Sequence, residues 1–134
     1  QETLVVARER KSRYLLARKV PRLKYAMDGL QSLLNPLPVC SATFDNGTEN
    51  ARHQELGVPT YFCDPYSSWQ KGSVEQGIGL IRWFIPKRAD LKNYSHEHIA
   101  AILEIINAMP MKCLHWQTPK EVFEERFLKQ SLTL

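Results

Sequence analysis

Apolar and polar stretches alternate at the amino-terminal end in a pattern that predicts a hairpin followed by a helix. Residues 3–8 and 14–20 are rich in Leu and Val and flank the polar turn 9–13, which is typical of two antiparallel strands. Pro21 suits the first position of a helix, and Asn35-Pro36 would end that helix. The predicted helical stripe has four apolar residues at i, i+4, i+7 and i+11: Leu23, Met27, Leu30 and Leu34.

The middle of the chain predicts two further strands. Residues 39–44 form a short apolar run with small residues at its centre, and residues 58–62 form a second such run. Between the two runs, we predict a short helix over residues 48–56. This stretch therefore has the strand, helix, strand order of an α/β protein.

Three more helices are predicted in the second half, each with a capping signal. Ser73 with Gln76 and Thr118 with Glu121 have capping-box spacing, and Ser95 is a preferred N-cap residue. Their predicted buried faces are Val74, Ile78, Ile81 and Ile85 in the first, Ile99, Ile102, Leu103 and Ile106 in the second, and Val122, Phe123 and Phe127 in the third. The order of elements predicts an α/β fold in which helices cover a mixed sheet.

Length and composition indicate one domain with an ordinary core. The chain has 134 residues, of which 43% are hydrophobic. No apolar run approaches the roughly 20 residues of a membrane span, and the first residues do not resemble a signal peptide. The sequence lacks an initiating Met, so we expect the gene product to begin upstream of Gln1.

Positive charge is concentrated at the amino-terminal end. Residues 1–24 contain eight Lys and Arg against two Glu, whereas the remainder has ten basic and twelve acidic residues. A basic end on a nearly neutral body suits a polyanionic partner. A solvated basic hairpin explains the same pattern equally well.

The cysteines and histidines do not predict a metal or disulfide framework. Cys40, Cys63 and Cys113 are odd in number and show no paired spacing. The His96-Glu97-His98 and Cys113-Leu114-His115 segments lack the spacing of a structural zinc site. Buried thiols and ordinary helix histidines are the favoured interpretation.

Two acidic residues lie where a site for phosphoryl transfer would need them. Asp45 ends a predicted strand, and Glu75 lies in the first turn of a predicted helix, a favourable place for a negative side chain. Carboxylates are preferred ligands of Mg²⁺, and phosphoryl transfer often uses two such ions about 3.5–4 Å apart. Asp-Asn-Gly turns and acidic first turns are also common without catalysis.

The residues around these two carboxylates include candidates for nucleic-acid contact. Trp69 could stack on a base or sugar, or it could anchor its loop to the core. The candidate phosphate contacts are Lys71, Arg82, Lys87 and Arg88. The alternative interpretation is that these four residues are ordinary surface charges.

Five segments spread over nearly the whole chain are distinctive when taken together. They are Glu9-Arg10-Lys11-Ser12-Arg13-Tyr14, Phe44-Asp45-Asn46-Gly47-Thr48-Glu49, residues 61–72, Gly79-Leu80-Ile81-Arg82 and Thr118-Pro119-Lys120-Glu121-Val122-Phe123. In these segments, which occur in family order, the chain resembles the catalytic core of bacterial DDE transposases, in particular the insertion-sequence family conventionally numbered thirty.

The resemblance implies a ribonuclease-H-like integrase core over residues 1–134, which would form a single catalytic domain. It implies cutting of transposon ends with Mg²⁺ or Mn²⁺, two ions in the complete protein, and attack of the freed 3′-hydroxyl on target DNA. Asp45 would be the second acid of the triad and Glu75 the third, both binding metal. The implied partners are DNA and further copies of the protein in the bacterial cytoplasm at the nucleoid, with no membrane and no small-molecule substrate.

The resemblance also implies an earlier strand carrying the first triad Asp, which the sequence does not include. Without that central strand, we expect the sheet to use another chain's strand or a rearranged pairing. Family positions are also changed at Gln76, Ile78 and Trp83 and within residues 107–112. Three hypotheses follow: a transposase core, an inactive relict that binds DNA or self-associates, and a ribonuclease-H-type nuclease. The segments 61–72 and 118–123 favour the first over the third.

Overall fold

Five strands and four α-helices are present in the part of the chain that the structure describes. This structure is a computed structural model, and it describes residues 2–44, 60–62, 74–128 and 132–133. The strands are β1 (Thr3–Arg8), β2 (Leu15–Val20), β3 (Val39–Phe44), β4 (Thr60–Phe62) and β5 (Leu132–Thr133). The helices are α1 (Ala26–Leu34), α2 (Val74–Phe84), α3 (His96–Asn107) and α4 (Pro119–Leu128), with short 3-10 helices at Leu23–Tyr25, Leu91–Asn93 and Lys112–Leu114.

The predicted amino-terminal hairpin is confirmed. β1 and β2 are antiparallel, in a register that runs from Thr3 opposite Val20 to Arg8 opposite Leu15. The turn is closed by a hydrogen bond from the Glu9 amide to the Tyr14 carbonyl (2.9 Å). The Glu9 carboxylate is fully buried and accepts a hydrogen bond from the Ser12 amide (2.8 Å). The turn is therefore built around a buried acid as well as solvated basic side chains.

The remaining strands form a second sheet with the order β4-β3-β5. β4 and β5 both run parallel to β3, with Phe44 opposite Phe62 on one edge and Val39 opposite Leu132 on the other. The sequence pattern predicts one mixed sheet and does not indicate β5. The described strands instead form two separately hydrogen-bonded sheets, and β5 pairs with the edge of β3 that β4 leaves open.

The hairpin is covered on both faces, which explains its apolar sequence. Along β1, Leu4 and Val6 pack against a cluster built from α2, α3 and β2, whereas Val5 and Ala7 pack against α1 and β3. This alternation follows from the two-residue period of a strand. The first cluster contains Leu15, Ala17, Ile81, Ile85, Ile99, Ile102 and Ile106, and the second contains Ala7, Met27, Leu30, Leu34 and Ala42.

The predicted start of α1 at Pro21 is wrong. Arg22 is extended (φ −151°, ψ 157°), so Pro21 lies outside the helix, and a 3-10 turn precedes Ala26. As a result, Leu23 is 50% exposed instead of joining the buried stripe. The other three predicted stripe residues are buried: Met27, Leu30 and Leu34.

The capping predictions for α3 and α4 are confirmed. The Ser95 hydroxyl accepts a hydrogen bond from the His98 amide (3.0 Å). Thr118 and Glu121 form a reciprocal pair: the Thr118 amide donates to the Glu121 carboxylate (3.0 Å), and the Glu121 amide donates to the Thr118 hydroxyl (3.1 Å). These bonds satisfy amides that a helix start leaves without intrahelical partners.

The inward face predicted for α4 is only partly correct. Phe123 is buried and stacks on Tyr14, with ring centroids 4.0 Å apart. Phe127 is 39% exposed, although its ring centroid lies 6.2 Å from that of Phe123. The predicted helix over residues 48–56 lies outside the described residues, and so does Ser73. No helix among the described residues has the length and apolar character needed to cross a membrane.

Candidate catalytic site

Glu75 lies in the first turn of α2, as the sequence predicts, and its side chain is exposed. Asp45 directly follows Phe44, the last residue of β3, but lies outside the described residues. Trp69 and Lys71 also lie outside them. The structure therefore positions one of the two candidate catalytic carboxylates. It lies at the start of α2, and the opposite side of this helix packs on the hairpin.

Gly77 allows the start of α2 to approach the hairpin closely. A Cβ atom at this position would lie 2.7 Å from Cδ1 of Leu15 and 3.3 Å from Cδ of Arg8. A Cβ atom does not normally approach another heavy atom more closely than 3.0 Å, so a larger residue at position 77 would displace Leu15 or the helix. The glycine thus places the first turn of α2 against the ends of β1 and β2.

Arg8 joins three segments beneath this turn. It is only 4% exposed. Its Nε donates to the Arg13 carbonyl (2.7 Å), and its Nη1 donates to the Gln76 side-chain carbonyl. Its Nη2 lies 3.8 Å from Sδ of Met111, a weak contact with the segment between α3 and α4. Burial is the main cause that lowers the pKa of Arg8 to about 10, and the Arg13 charge adds to the effect, whereas Cys113 opposes it.

Asn107 fixes the other side of the same hairpin end. Its buried amide accepts a hydrogen bond from the Leu15 amide (2.8 Å) and donates one to the Leu15 carbonyl (3.0 Å). The side chain thereby satisfies the outer edge of β2 where a further strand would otherwise pair. Leu15 packs between this contact and Gly77, so α2 and α3 are held to the same strand.

The predicted basic contacts lie along and after α2. Arg82 is exposed in the last turn, and Lys87 and Arg88 are exposed just beyond the helix. Glu75 and Arg82 are seven residues apart, which places them on one side of the helix about 10 Å apart along its axis. Gly79 lies between them, and a Cβ added there would have no atom within 4 Å, while Trp83 beside Arg82 is 84% exposed. These four residues form an exposed stripe: Glu75, Gly79, Arg82 and Trp83.

The expectation of buried thiols is wrong for Cys113. Cys113 is exposed, because Leu114 is the residue of its 3-10 turn that packs inward. Cys40 and Cys63 have no described side chain. His96 and His98 are exposed on the first turn of α3. Within the described ranges, no group of three or more His, Cys, Asp or Glu side chains could hold a metal ion.

Several residues that shape the site were not identified from the sequence: Arg8, Gly77, Asn107 and Met111. Gln76 and residues 107–112 were marked only as departures from a family pattern. A glycine inside an otherwise helical pattern costs stability and often has a packing reason, so Gly77 could have been recognised as a candidate for close packing. Gln76 is 68 residues from Arg8, and Leu15 is 92 residues from Asn107, so no local pattern indicates either pairing.

Comparison with known structures defines the class of fold. The catalytic core domain of BIV integrase superposes with a TM-score of 0.72 at 18% identity, covering 95% of this chain and 88% of that one. The described fold is therefore that of an integrase catalytic core. The predicted α/β, ribonuclease-H-like class is confirmed. No protein-family model matches the chain.

The sequence relatives of the chain are transposases of insertion sequence elements. The chain is 42% identical over 135 residues to the transposase of insertion sequence element IS1086 from Cupriavidus metallidurans, covering 93% of the chain and 40% of the relative. It is 36% identical over 110 residues to the transposase of IS4351 from Bacteroides fragilis, covering 79% of the chain and 33% of the relative. The transposase InsI of IS30A from Escherichia coli is 43% identical over 88 residues, covering 63% of the chain and 23% of the relative.

The chain is thus homologous to transposases of insertion sequence elements, and the resemblance drawn from its motifs is confirmed. It spans between about a quarter and two fifths of the length of these relatives. In these relatives, the aligned region is therefore one part of a longer protein.

Proposed function

We propose that this chain is the catalytic core of a DNA transposase, which cleaves transposon ends and transfers the freed strand to target DNA. The observation that carries the proposal is the exposed Glu75 carboxylate at the start of α2, in a chain with an integrase-core fold and transposase homologues. Residues 1–134 would act as a single catalytic domain of the complete protein.

We propose that Glu75 and Asp45 bind divalent metal, Mg²⁺ or Mn²⁺. Glu75 fits this role because it offers an exposed carboxylate, the hard oxygen ligand that Mg²⁺ prefers. The described residues do not supply a complete ligand set, so the site would require Asp45 and further groups outside them. Divalent ions at such a site supply positive charge that stabilises the phosphate oxygens during transfer.

The exposed stripe on α2 supports DNA as the partner. Arg82 would contact a backbone phosphate about two turns from Glu75, and Lys87 and Arg88 would extend this contact beyond the helix. Gly79 leaves the helix backbone uncovered between Glu75 and Arg82, so a DNA strand could approach this part of the helix closely. Trp69 would stack on a base or sugar, and Lys71 would contact a phosphate.

The complete protein would work as a multimer on paired DNA ends in the bacterial cytoplasm. An inactive relict is the competing hypothesis, and it predicts DNA binding without metal-dependent cleavage. A ribonuclease-H-type nuclease would instead hydrolyse nucleic acid and would not join a 3′-hydroxyl to a second duplex. Strand-transfer products formed by the complete protein on end-containing DNA separate all three.

The proposal is tested by substituting each carboxylate in the complete transposase that contains this chain. Asp45→Asn and Glu75→Gln should each abolish Mg²⁺-dependent end cleavage, because neither amide replaces an anionic ligand, while DNA binding persists. Glu97→Gln is the matched control, since Glu97 is an exposed acid in the first turn of α3. Undiminished cleavage by Glu75→Gln would remove Glu75 from the site and withdraw the proposal's main support.

A further inference from the structure

We propose that Arg8 is a positioning residue for the reaction: it fixes the first turn of α2, and thereby the Glu75 carboxylate, through its hydrogen bond to Gln76. The inference rests on the proposed role of Glu75 as a metal ligand. Arg8 lies at the end of β1, on a different element from Glu75, and nothing in the sequence motifs indicates the connection.

The start of α2 needs a restraint from outside the helix to hold Glu75 in place. The first turn of a helix is its least constrained part, because its amides lack intrahelical acceptors and its end frays. Glu75 lies in this turn and is exposed, so its own packing does not fix its position. A ligand held this loosely would bind metal less tightly than one whose backbone is restrained from outside the helix.

Arg8 supplies such a restraint. Nη1 of Arg8 donates to the side-chain carbonyl of Gln76, the residue next to Glu75. Neighbouring helix residues differ by about 100° around the axis, so Gln76 can bond to Arg8 while Glu75 remains exposed. Gly77 then brings the helix backbone into contact with the same side chain, since a Cβ there would lie 3.3 Å from Nη1 of Arg8.

The guanidinium is itself held rigidly. It is almost completely buried, and its Nε is bonded to the Arg13 carbonyl of the hairpin turn. Its Nη2 lies 3.8 Å from Sδ of Met111. A buried cation is costly unless its donors are satisfied in fixed geometry, so these contacts leave Arg8 little freedom. The position of Gln76 is thereby tied to the hairpin rather than to solvent.

An arginine is needed for this role and a packing residue would not replace it. Its planar fork directs several N–H groups to separate acceptors, whereas a lysine ammonium is a point charge on a flexible stem. Methionine has a similar unbranched shape and fills space without donating hydrogen bonds. Arg8→Met therefore removes the restraint while retaining much of the packing.

The experiment is a double-mutant cycle in the complete transposase, with Arg8→Met, Gln76→Leu and both together. We expect each single variant to reduce the end-cleavage rate about 10–100-fold and to weaken Mn²⁺ binding measured by calorimetry, as for residues that orient metal ligands. DNA affinity should be unchanged. The double variant should lose no more than the more severe single variant, because both substitutions remove one interaction.

Arg18→Met is the matched control, because Arg18 lies in the same hairpin but is exposed and bonds only Ser32 among the contacts described. It should leave both metal binding and cleavage unchanged. If Arg8→Met lowers the melting temperature but not metal affinity, or if the losses add, the inference is overturned. Gln76→Leu changes an exposed side chain and decides the question if Arg8→Met fails to fold.

The failure of this inference differs from that of the proposed function. Normal metal binding by Gln76→Leu together with inactive Glu75→Gln would reject only the positioning role of Arg8. Full activity of Glu75→Gln would reject the site itself, whatever the behaviour of Arg8 and Gln76.

Discussion

Asn107 shows how one buried polar side chain can determine the packing of two elements. Its amide group bonds both backbone groups of Leu15, and it is only 3% exposed. Because Leu15 is among the most deeply buried residues, no solvent is available to replace these bonds. The side chain therefore attaches the end of α3 to the outer edge of β2.

We predict that Asn107→Ala destabilises the protein by about 2–4 kcal/mol, because it leaves a buried amide and carbonyl without partners. Urea denaturation measures this loss, and hydrogen exchange of the Leu15 amide should accelerate in the same variant. Asn93→Ala, at an exposed position after α2, is the control and should change stability by less than about 0.5 kcal/mol. Equal stability of the two variants would contradict the role assigned to Asn107.

The buried polar residues are also where the sequence was least informative. Glu9 was interpreted as a turn residue, yet it is fully buried, and its carboxylate lies 3.1 Å from Nε of Arg126. Arg8 and Asn107 likewise obtain partners from distant elements. Local sequence patterns indicate the spacing of apolar residues in a helix or strand and the residues that cap it. They do not indicate which distant segment will supply a hydrogen bond.

Among the elements, α2 contains two glycines with opposite structural roles. Gly77 packs against Leu15 and Arg8, whereas nothing lies within 4 Å of a side chain added at Gly79. Glycine inside a helix costs roughly 1 kcal/mol relative to alanine when the space is open. The two positions therefore provide a matched pair of substitutions on one helix.

Gly79→Ala is predicted to stabilise the protein by about 0.5–1 kcal/mol, since only helix propensity changes. Gly77→Ala should instead destabilise it, because the new Cβ would meet Cδ1 of Leu15 at 2.7 Å and displace the start of α2. Thermal unfolding of the two variants gives the comparison. A stabilising effect at both positions would show that α2 does not pack closely on the hairpin.

The capping pair at the start of α4 yields a pH-dependent prediction. The hydrogen bond from the Thr118 amide is the main cause that lowers the pKa of Glu121, and the Thr118 side chain adds to it. Because the folded state favours the ionised carboxylate, this contribution is present above the ordinary pKa of Glu121 and is lost as the pH falls through the lowered one. An NMR titration should show this low pKa, and Thr118→Val should raise it. A Glu121 pKa at or above its ordinary value would contradict the capping geometry.

Most of the elements could be predicted because their signals are local. The hairpin, α3 and α4 followed from alternation, helical spacing and capping residues, and the structure confirms them. The predicted start of α1 was wrong. Pro21 suits the first position of a helix, but it can also precede an extended residue, as Arg22 is here. β5 was missed because Leu132 and Thr133 become a strand only by pairing with β3, a distant partner.

At the scale of the whole molecule, the fold is the one that the family resemblance implied. The residue patterns alone predicted only its α/β class. The integrase-core similarity confirms the α/β fold, and the transposase homologues confirm the resemblance drawn from the sequence motifs. Glu75 is found on α2 as predicted, while Asp45, Trp69 and Lys71 lie outside the described residues and remain predictions. A strand end and a helix start can be read from a sequence, but the distance between their carboxylates depends on tertiary packing.

The most direct test of the account is to locate Mn²⁺ in crystals of the complete transposase by anomalous scattering. We predict a peak in direct contact with carboxylate oxygens of both Glu75 and Asp45, at the short distances typical of carboxylate ligation, about 2 Å. The peak should disappear in the Glu75→Gln variant and persist in Glu97→Gln. A Mn²⁺ ion bound without Glu75, in protein that still cleaves transposon ends, would contradict the central claim.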